Sequence, residues 1–359
     1  MDATQQSVAA YYTKLQSTGD LKTSACTAAK QPPPAIRQAL RLVPQPVRER
    51  YYGCGTSLPA GIFGLTVVDL GSGSGQDCYL AAALGAARVI GVDMTAAQLE
   101  VARAHVDEFQ KTLGRTVQLE FVEGFIEDLK MIESESVDLV ISNCVINLSP
   151  RKDLVLAEVY RILRRGGELY FSDVYCDRRL DESVRKHEVL WGECISGALY
   201  ENDFIRLCHK TGFVDPRVVE RSPINVEDDE LKLVVGNAKF SSVTYRCFKL
   251  DNLETLCEDY GQVAVYKGSI DTMPHHYVLD DHHVFETGKP VLVCGNTASM
   301  VGESKMLGPH FSVMGDRSKH YGEFPCGPAP SMPAFQANPT ISSCDSGACG
   351  PATTKSKCC

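Results

Sequence analysis

The sequence predicts an α/β fold built on a mostly parallel sheet with helices on both faces. Three observations predict it. Short β-branched runs alternate with helical stretches. A glycine-rich turn joins the first run to the first helix, and an acidic residue ends the second run. Together these mark strands whose carboxyl ends form a ligand crevice.

Taken in order, Thr66-Val67-Val68-Asp69-Leu70 reads as a buried strand, and Gln76 to Leu84 as a helix. Arg88 to Val92 is the second strand. Ala96 to Thr112 reads as one long helix with Leu99, Ala102, Val106 and Phe109 on one face. Val117 to Val122 and Val137 to Ser142 are further strands. From Asp153 to Leu163, Leu154, Val155, Val159, Ile162 and Leu163 recur at helical spacing, and Gly166-Gly167 is expected to stop that helix. Glu168 to Ser172 is a fifth strand, and Asn202 to Thr211 another helix. Pro216 to Glu220 and Val243 to Phe248 are expected to close the sheet. Beyond about residue 250, short runs such as Val263 to Tyr266 and Val291 to Val293 predict a small domain of their own.

The chain of 359 residues thus divides into four parts. An N-terminal cap covers 1–60, broken by Pro32-Pro33-Pro34. A sheet domain covers 61–250, a small C-terminal α+β domain 251–325, and a Pro-, Gly-, Ser- and Cys-rich tail 326–359, expected to be disordered.

A net charge of -9 argues against nucleic acid as a partner. No apolar stretch reaches the roughly 18 residues of a spanning helix, and the N-terminus carries no signal-peptide pattern. A cytoplasmic location is therefore expected, with no membrane partner. In that reducing setting the 15 cysteines point to metal, metalloid or redox chemistry.

The turn Asp69-Leu70-Gly71-Ser72-Gly73-Ser74-Gly75 spaces its glycines G-x-G-x-G. The dinucleotide fingerprint would want its third glycine where Gln76 stands, so a nicotinamide oxidoreductase is disfavoured. Asp69 suits a ligand carrying a sulfonium and an ammonium. Asp93, before Met94, can accept both hydroxyls of a ribose. Phe125, Ile126 and Glu127, after the third strand, border the adenine in this kind of fold. Asn143 ends the fourth strand beside the transferable methyl, and Cys144 follows at the same rim.

These motifs resemble those of arsenite methyltransferases. The resemblance runs through Tyr52-Gly53-Cys54-Gly55, Asp69 to Gly75, Ser142-Asn143-Cys144-Val145-Ile146-Asn147-Leu148, Gly167 to Tyr175 and Trp191 to Tyr200, and covers roughly residues 10–300. It implies a class I, Rossmann-like methyltransferase sheet that uses S-adenosylmethionine. It also implies four functional cysteines. Cys144 and Cys194 correspond to an arsenic-binding pair, with Cys54 a third arsenic ligand. Cys26 and Cys54 correspond to a disulfide relay, and Tyr52 to an aromatic beside the cofactor. The implied substrates are arsenite and methylarsenite, the reductant thioredoxin or glutathione, and the assembly a monomer.

The chemistry fits those residue types. Trivalent arsenic is soft and prefers thiolates, and its lone pair can attack a sulfonium methyl by positioning alone. No proton leaves the nucleophile, so no general base is needed. Transfer oxidises arsenic by two units, and one new disulfide returns those electrons. Two rivals stand beside this reading: a methyltransferase acting on a small organic carbon or oxygen acceptor, and a metalloid sensor or carrier with a vestigial cofactor loop.

Among the remaining features, Cys78, Cys208, Cys247 and Cys257 read as core, while Cys176 and Cys294 are undecided. Cys344, Cys349, Cys358 and Cys359 make the tail a dispensable extension or a metalloid collector. His275-His276, Asp280-Asp281 and His282-His283 read as an exposed polar loop.

Overall fold

The computed structural model describes residues 32–51, 57–192 and 194–326. Cys26, Cys54, Tyr52 and the tail cysteines beyond Cys326 lie outside the described residues. The central strands are β1 (Thr66–Leu70), β2 (Arg88–Asp93), β3 (Gln118–Glu123), β4 (Val137–Asn143), β5 (Leu163–Cys176), the short β6 (Leu199–Tyr200), β7 (Arg217–Ile224) and β8 (Phe240–Phe248). They form one sheet in the order β3-β2-β1-β4-β5-β8-β7, with β6 paired to β5. The first five strands are mutually parallel, and β8 runs antiparallel between β5 and β7.

Successive side chains of a strand leave opposite faces, which splits the core in two. Val67, Leu139 and Ile141 pack with Tyr79 and Leu80 of the helix Gln76–Ala83 and with Leu99 of the helix Ala96–Ala104. Val68, Leu70 and Val140 pack instead with Val155 and Val159 of the helix Lys152–Ile162 and with Phe204 of the helix Glu201–Thr211. Both faces are covered, as a buried parallel sheet requires.

The C-terminal segment shares the first of these cores. Strand β10 (Gln262–Tyr266) lies between β13 (Pro290–Val293) and β14 (Phe311–Met314), and β11 (His276–Val278) pairs β12 (Val284–Glu286). Tyr266, Tyr277, Phe285 and Phe311 join the cluster containing Tyr79 and Phe109. Arg246 ties this segment to the sheet. Its Nε and Nη2 donate to Glu168 at 2.7 and 3.0 Å, while Nη1 donates to the Leu279 carbonyl at 2.8 Å.

Four expectations need correction. The long helix breaks at His105, whose φ of −109° and ψ of 4° separate Ala96–Ala104 from Val106–Leu113. Neither glycine nor proline marks that break in the sequence. Gly166-Gly167 does not stop a helix: the helix ends at Ile162 and both glycines lie inside β5. There Gly166, at φ 81°, sits in the left-handed region next to a register shift against β4. The His275–His283 stretch is exposed only in part: His275, His276 and Asp281 are exposed, but Asp280 is not. Asp280 is fully buried, bound by Arg217 Nη1 at 3.1 Å and by His283 Nδ1 at 2.8 Å. Finally, Cys257 is not a core residue but half-buried beside Cys294 and Cys326.

Removing Arg246 would strand the buried Glu168 carboxylate. Arg246→Ala should therefore lower stability by about 3–5 kcal/mol, because breaking a buried pair leaves one charge uncompensated. Chemical denaturation would measure this, and a loss below about 1 kcal/mol, the worth of an exposed pair, would contradict it.

Candidate functional site

Reversal of strand order between β1 and β4 opens a crevice at their carboxyl ends. A cavity of about 1040 Å³, its open mouth included, fills this crevice. It is lined by Asp69, Gly71, Gly73, Asp93, Met94, Phe125, Ile126, Glu127, Asn143 and Cys144, all singled out from the sequence.

The glycine turn builds one wall. Gly71 and Ser72 donate their N–H groups to the Val92 carbonyl at 2.8 and 3.0 Å, which folds the turn over β2. Gly73, at φ 52°, has nothing within 4 Å of where a Cβ would stand. Its N–H donates to Asp93 Oδ2 at 2.8 Å, and Thr95 N–H donates to Asp93 Oδ1 at 2.8 Å. Asp93 thus staples the turn with both oxygens, and each retains a second acceptor site for a hydroxyl.

Gly75 does not line the cavity. It caps the helix Gln76–Ala83 at φ 92°, and a Cβ there would meet the Phe121 ring at 2.7 Å. Its left-handed turn lets the helix pack closely on the sheet.

The floor of the cavity is acidic and buried. Burial, followed by repulsion from Asp77, raises the Asp69 carboxyl well above the ordinary range. Its Oδ2 accepts from the Cys78 thiol at 3.2 Å. Burial likewise pushes Asp77 up to about 6. Asp77 Oδ2 accepts from Asn143 Nδ2 at 3.2 Å and from the Tyr51 hydroxyl at 3.4 Å. Three buried polar atoms around the cavity, Ser72 Oγ, Asp77 Oδ1 and Gln98 Oε1, have no hydrogen-bond partner among the described residues. Buried polar atoms are normally satisfied. Two carboxyls and several orphaned atoms beside apolar Met94, Phe125 and Ile126 fit a ligand with cationic groups, hydroxyls and a flat ring.

Sequence reasoning missed Arg50, Tyr51, Ser72, Asp77, Thr95 and Gln98. Asp77 was hidden because an acid in the first turn of a helix ordinarily serves the helix dipole. Tyr51 was overshadowed by its neighbour Tyr52.

At the rim, Cys144 follows the last residue of β4 and donates its N–H to the Ser172 carbonyl at 2.8 Å. Cys194 lies far along the chain, yet its Sγ donates to the Cys144 carbonyl at 2.9 Å. Both belong to one apolar cluster with Leu148, Val174, Leu190 and Ile195. Both also hold left-handed backbone, at φ 56° and 62°, a conformation that costs a side-chain-bearing residue energy. Among the described residues Glu135 is the only other non-glycine with positive φ. Cys144 is engaged in a disulfide.

The charged surroundings of this pair come from the helix that follows and from β5. Lys152 Nζ donates to the carbonyls of Asn147 and Ser149 at 3.0 and 2.9 Å. Burial lowers its pKa to about 8, against the favourable pull of Asp173 and Cys194. Asp173, pushed up to about 6 by burial, accepts the N–H groups of Asn147 and Val174, each at 2.9 Å. This net fixes the 144–149 turn against β5.

A sheet of this order with an acid-floored, glycine-walled crevice defines a class I, Rossmann-like methyltransferase. Residues 63–212 match the family described as "Methyltransferase domain". An arsenite methyltransferase of Aquipseudomonas alcaligenes is 52% identical over 324 residues, covering 89% of this chain and 93% of that protein. The arsenite methyltransferase of Homo sapiens is 42% identical, covering 84% and 81% respectively. The crystal structure of an arsenic(III) S-adenosylmethionine methyltransferase from Chlamydomonas reinhardtii superimposes with a TM-score of 0.79 at 58% identity, covering 82% of this chain and all of that one. The chain belongs to the arsenite methyltransferase family. No helix among the described residues is long and apolar enough to cross a membrane.

The raised Asp77 carboxyl gives a pH signature. A cation binds best when Asp77 is ionised, and once bound it lowers the carboxyl's pKa. Affinity for S-adenosylmethionine should therefore climb as pH rises toward 6 and level off above it. Calorimetric titration would show this, and Asp77→Asn should bind more weakly above pH 6 and lose most of the slope. A flat profile in the parent enzyme would refute the assignment.

Proposed function

We propose that this enzyme transfers methyl groups from S-adenosylmethionine to trivalent arsenic held on the sulfurs of Cys144 and Cys194, with Cys54 as a third ligand. Arsenite and methylarsenite are the substrates, and mono- and dimethylated arsenicals the products, with a third methylation open to the same site. The observation that carries this reading is the meeting of two sequence-distant cysteines at the edge of the acid-floored cavity.

When bound, S-adenosylmethionine supplies an electrophilic methyl on its sulfonium. Asp69 and Asp77 offer negative charge to its cationic groups, and Asp93 offers acceptors to its ribose hydroxyls. Phe125 and Ile126 flank the ring, and Glu127, which accepts from Ser149 Oγ at 2.5 Å, closes that side. Gly71 and Gly73 keep the wall thin, and Met94 adds apolar surface. Asn143, paired to Tyr51 and Asp77, fixes the end of β4 beside the reacting methyl. Tyr52 is proposed as an aromatic neighbour.

On the arsenic side the chain contributes position and softness. Thiolates replace the oxygens of arsenite and leave its lone pair outward. Left-handed backbone at both cysteines holds them in place before substrate arrives, which reduces the ordering cost of the reactive geometry. Transfer breaks the sulfonium–methyl bond with its electron pair staying on sulfur, and the arsenic lone pair forms the new bond. Two electrons then return to arsenic as two cysteine thiolates become a disulfide. Thioredoxin or glutathione reduces that disulfide by thiol exchange. The disulfide at Cys144 supports its sulfur as a member of this cycle, and Cys26 and Cys54 are the proposed relay. Stepwise detoxification of arsenic is the proposed outcome.

The test is turnover of labelled S-adenosylmethionine with arsenite and a thiol, followed by separation of the arsenicals. Cys144→Ser and Cys194→Ser should each lower label in arsenicals by at least about 100-fold, the scale of a misplaced reacting group. Both should bind S-adenosylmethionine within about twofold of the parent, since the charge offered to its cationic groups comes from Asp69 and Asp77. Unchanged product in either variant would overturn the reading.

A further inference from the structure

A second set of sulfurs lies outside the crevice. Cys257, Cys294 and Cys326 come from three separate segments, and their Sγ atoms all lie within 4.8 Å of one another. Cys257 precedes the short strand β9 (Glu258–Asp259), and Cys294 caps the helix Gly295–Glu303. Cys326 follows β15 (Gly322–Glu323), the strand that pairs β9 and so brings it to Cys257. None of the three is disulfide-bonded.

The surroundings of Cys294 favour thiolate, while hydrogen bonding to Cys294 holds the Cys257 thiol up and burial does the same for Cys326. Cys294 Sγ accepts from Thr297 N–H at 3.5 Å, lies 3.3 Å from Thr297 Oγ1, and receives Arg217 Nη2 at 3.9 Å. Hydrogen bonding from Cys257, then Thr297 and the Arg217 charge, hold it below the usual thiol range despite burial. Arg217 is itself buried and fixed by Asp215 at 2.7 Å and Asp280 at 3.1 Å. This accounts for the burial of Asp280 with His283 half-buried against it: they complete the charge balance around Arg217. Arg217 opens β7, which runs parallel to β4 and β5, so the cluster sits away from the carboxyl ends that carry Cys144.

We propose that Cys257, Cys294 and Cys326 form a second site for trivalent arsenic, bound as a trithiolate. Three sulfurs match an ion that takes three ligands and keeps a lone pair, whereas zinc closes a structural site with four. Cys294 is fully buried and Cys326 is exposed, so the site has a closed base and an open entrance. Binding exchanges three As–O bonds of arsenite for three As–S bonds. Two thiol protons and one proton from solvent leave with the hydroxyls as three waters, and no electrons are transferred. The site would hold arsenic outside the transfer crevice and cross-link the end of the C-terminal segment to its helix.

The probe is arsenite alone, added to the reduced full chain before alkylation with iodoacetamide and peptide mass mapping. Saturating arsenite should slow labelling of Cys257 and Cys326 by roughly tenfold or more, as their thiols leave the free pool. The protection should persist in the Cys144→Ser/Cys194→Ser variant, which separates this site from the transfer site. In native mass spectrometry, Cys257→Ser/Cys294→Ser/Cys326→Ser should carry one arsenic fewer than the parent. Unchanged labelling, or protection by zinc chloride but not by arsenite, would overturn the proposal.

Discussion

The structure depends on one constraint at the end of β4: a buried cysteine held in left-handed backbone where the sheet order reverses. Cys144 must leave a fully buried strand, turn sharply and still border the crevice. The Asn147, Ser149, Lys152 and Asp173 contacts hold that turn, and the Cys144 carbonyl anchors Cys194 from another part of the chain. A single backbone geometry therefore fixes both sulfurs relative to the acidic floor. Strain of this kind persists only where surrounding contacts over-determine it.

Electrostatics divide the crevice into two halves suited to different reactants. On one side, Asp69 and Asp77 are buried so deeply that both carboxyls resist ionisation. Such groups gain most from a cationic ligand, because pairing relieves a burial cost already present. On the other side, the cysteines sit among Leu148, Val174, Leu190 and Ile195, with Lys152 as the nearby cation. Dry, apolar surroundings suit a soft ion held by sulfur and keep water from the reacting centre.

Much of the sheet was legible because parallel strands buried on both faces read as short apolar runs. Val67-Val68 and Leu139 to Ile141 are such runs, and their strands lie where expected. The break at His105 was not legible, since no residue there disfavours helix. Nor was the strand role of Gly166-Gly167, because paired glycines after a helical run suggest a stop until the partner strand is known. In the candidate site, spacing pointed to Asp69, Asp93 and Asn143 on strands and to Gly71 and Gly73 in the turn after β1, and all five line the cavity. Asp77, Gln98 and Lys152 were hidden because each lies on a helix where a polar residue needs no special explanation. The Arg217–Asp280–His283 group and the Cys257–Cys294–Cys326 cluster depend on contacts between residues tens of positions apart, which no local pattern announces.

The most direct test is a crystal structure of the reduced full chain soaked with arsenite, with anomalous diffraction collected at the arsenic edge. An anomalous peak bonded to the sulfurs of both Cys144 and Cys194, beside the crevice floored by Asp69 and Asp77, is the predicted result. Arsenic found elsewhere in the molecule, with both of these sulfurs bare, would contradict the account.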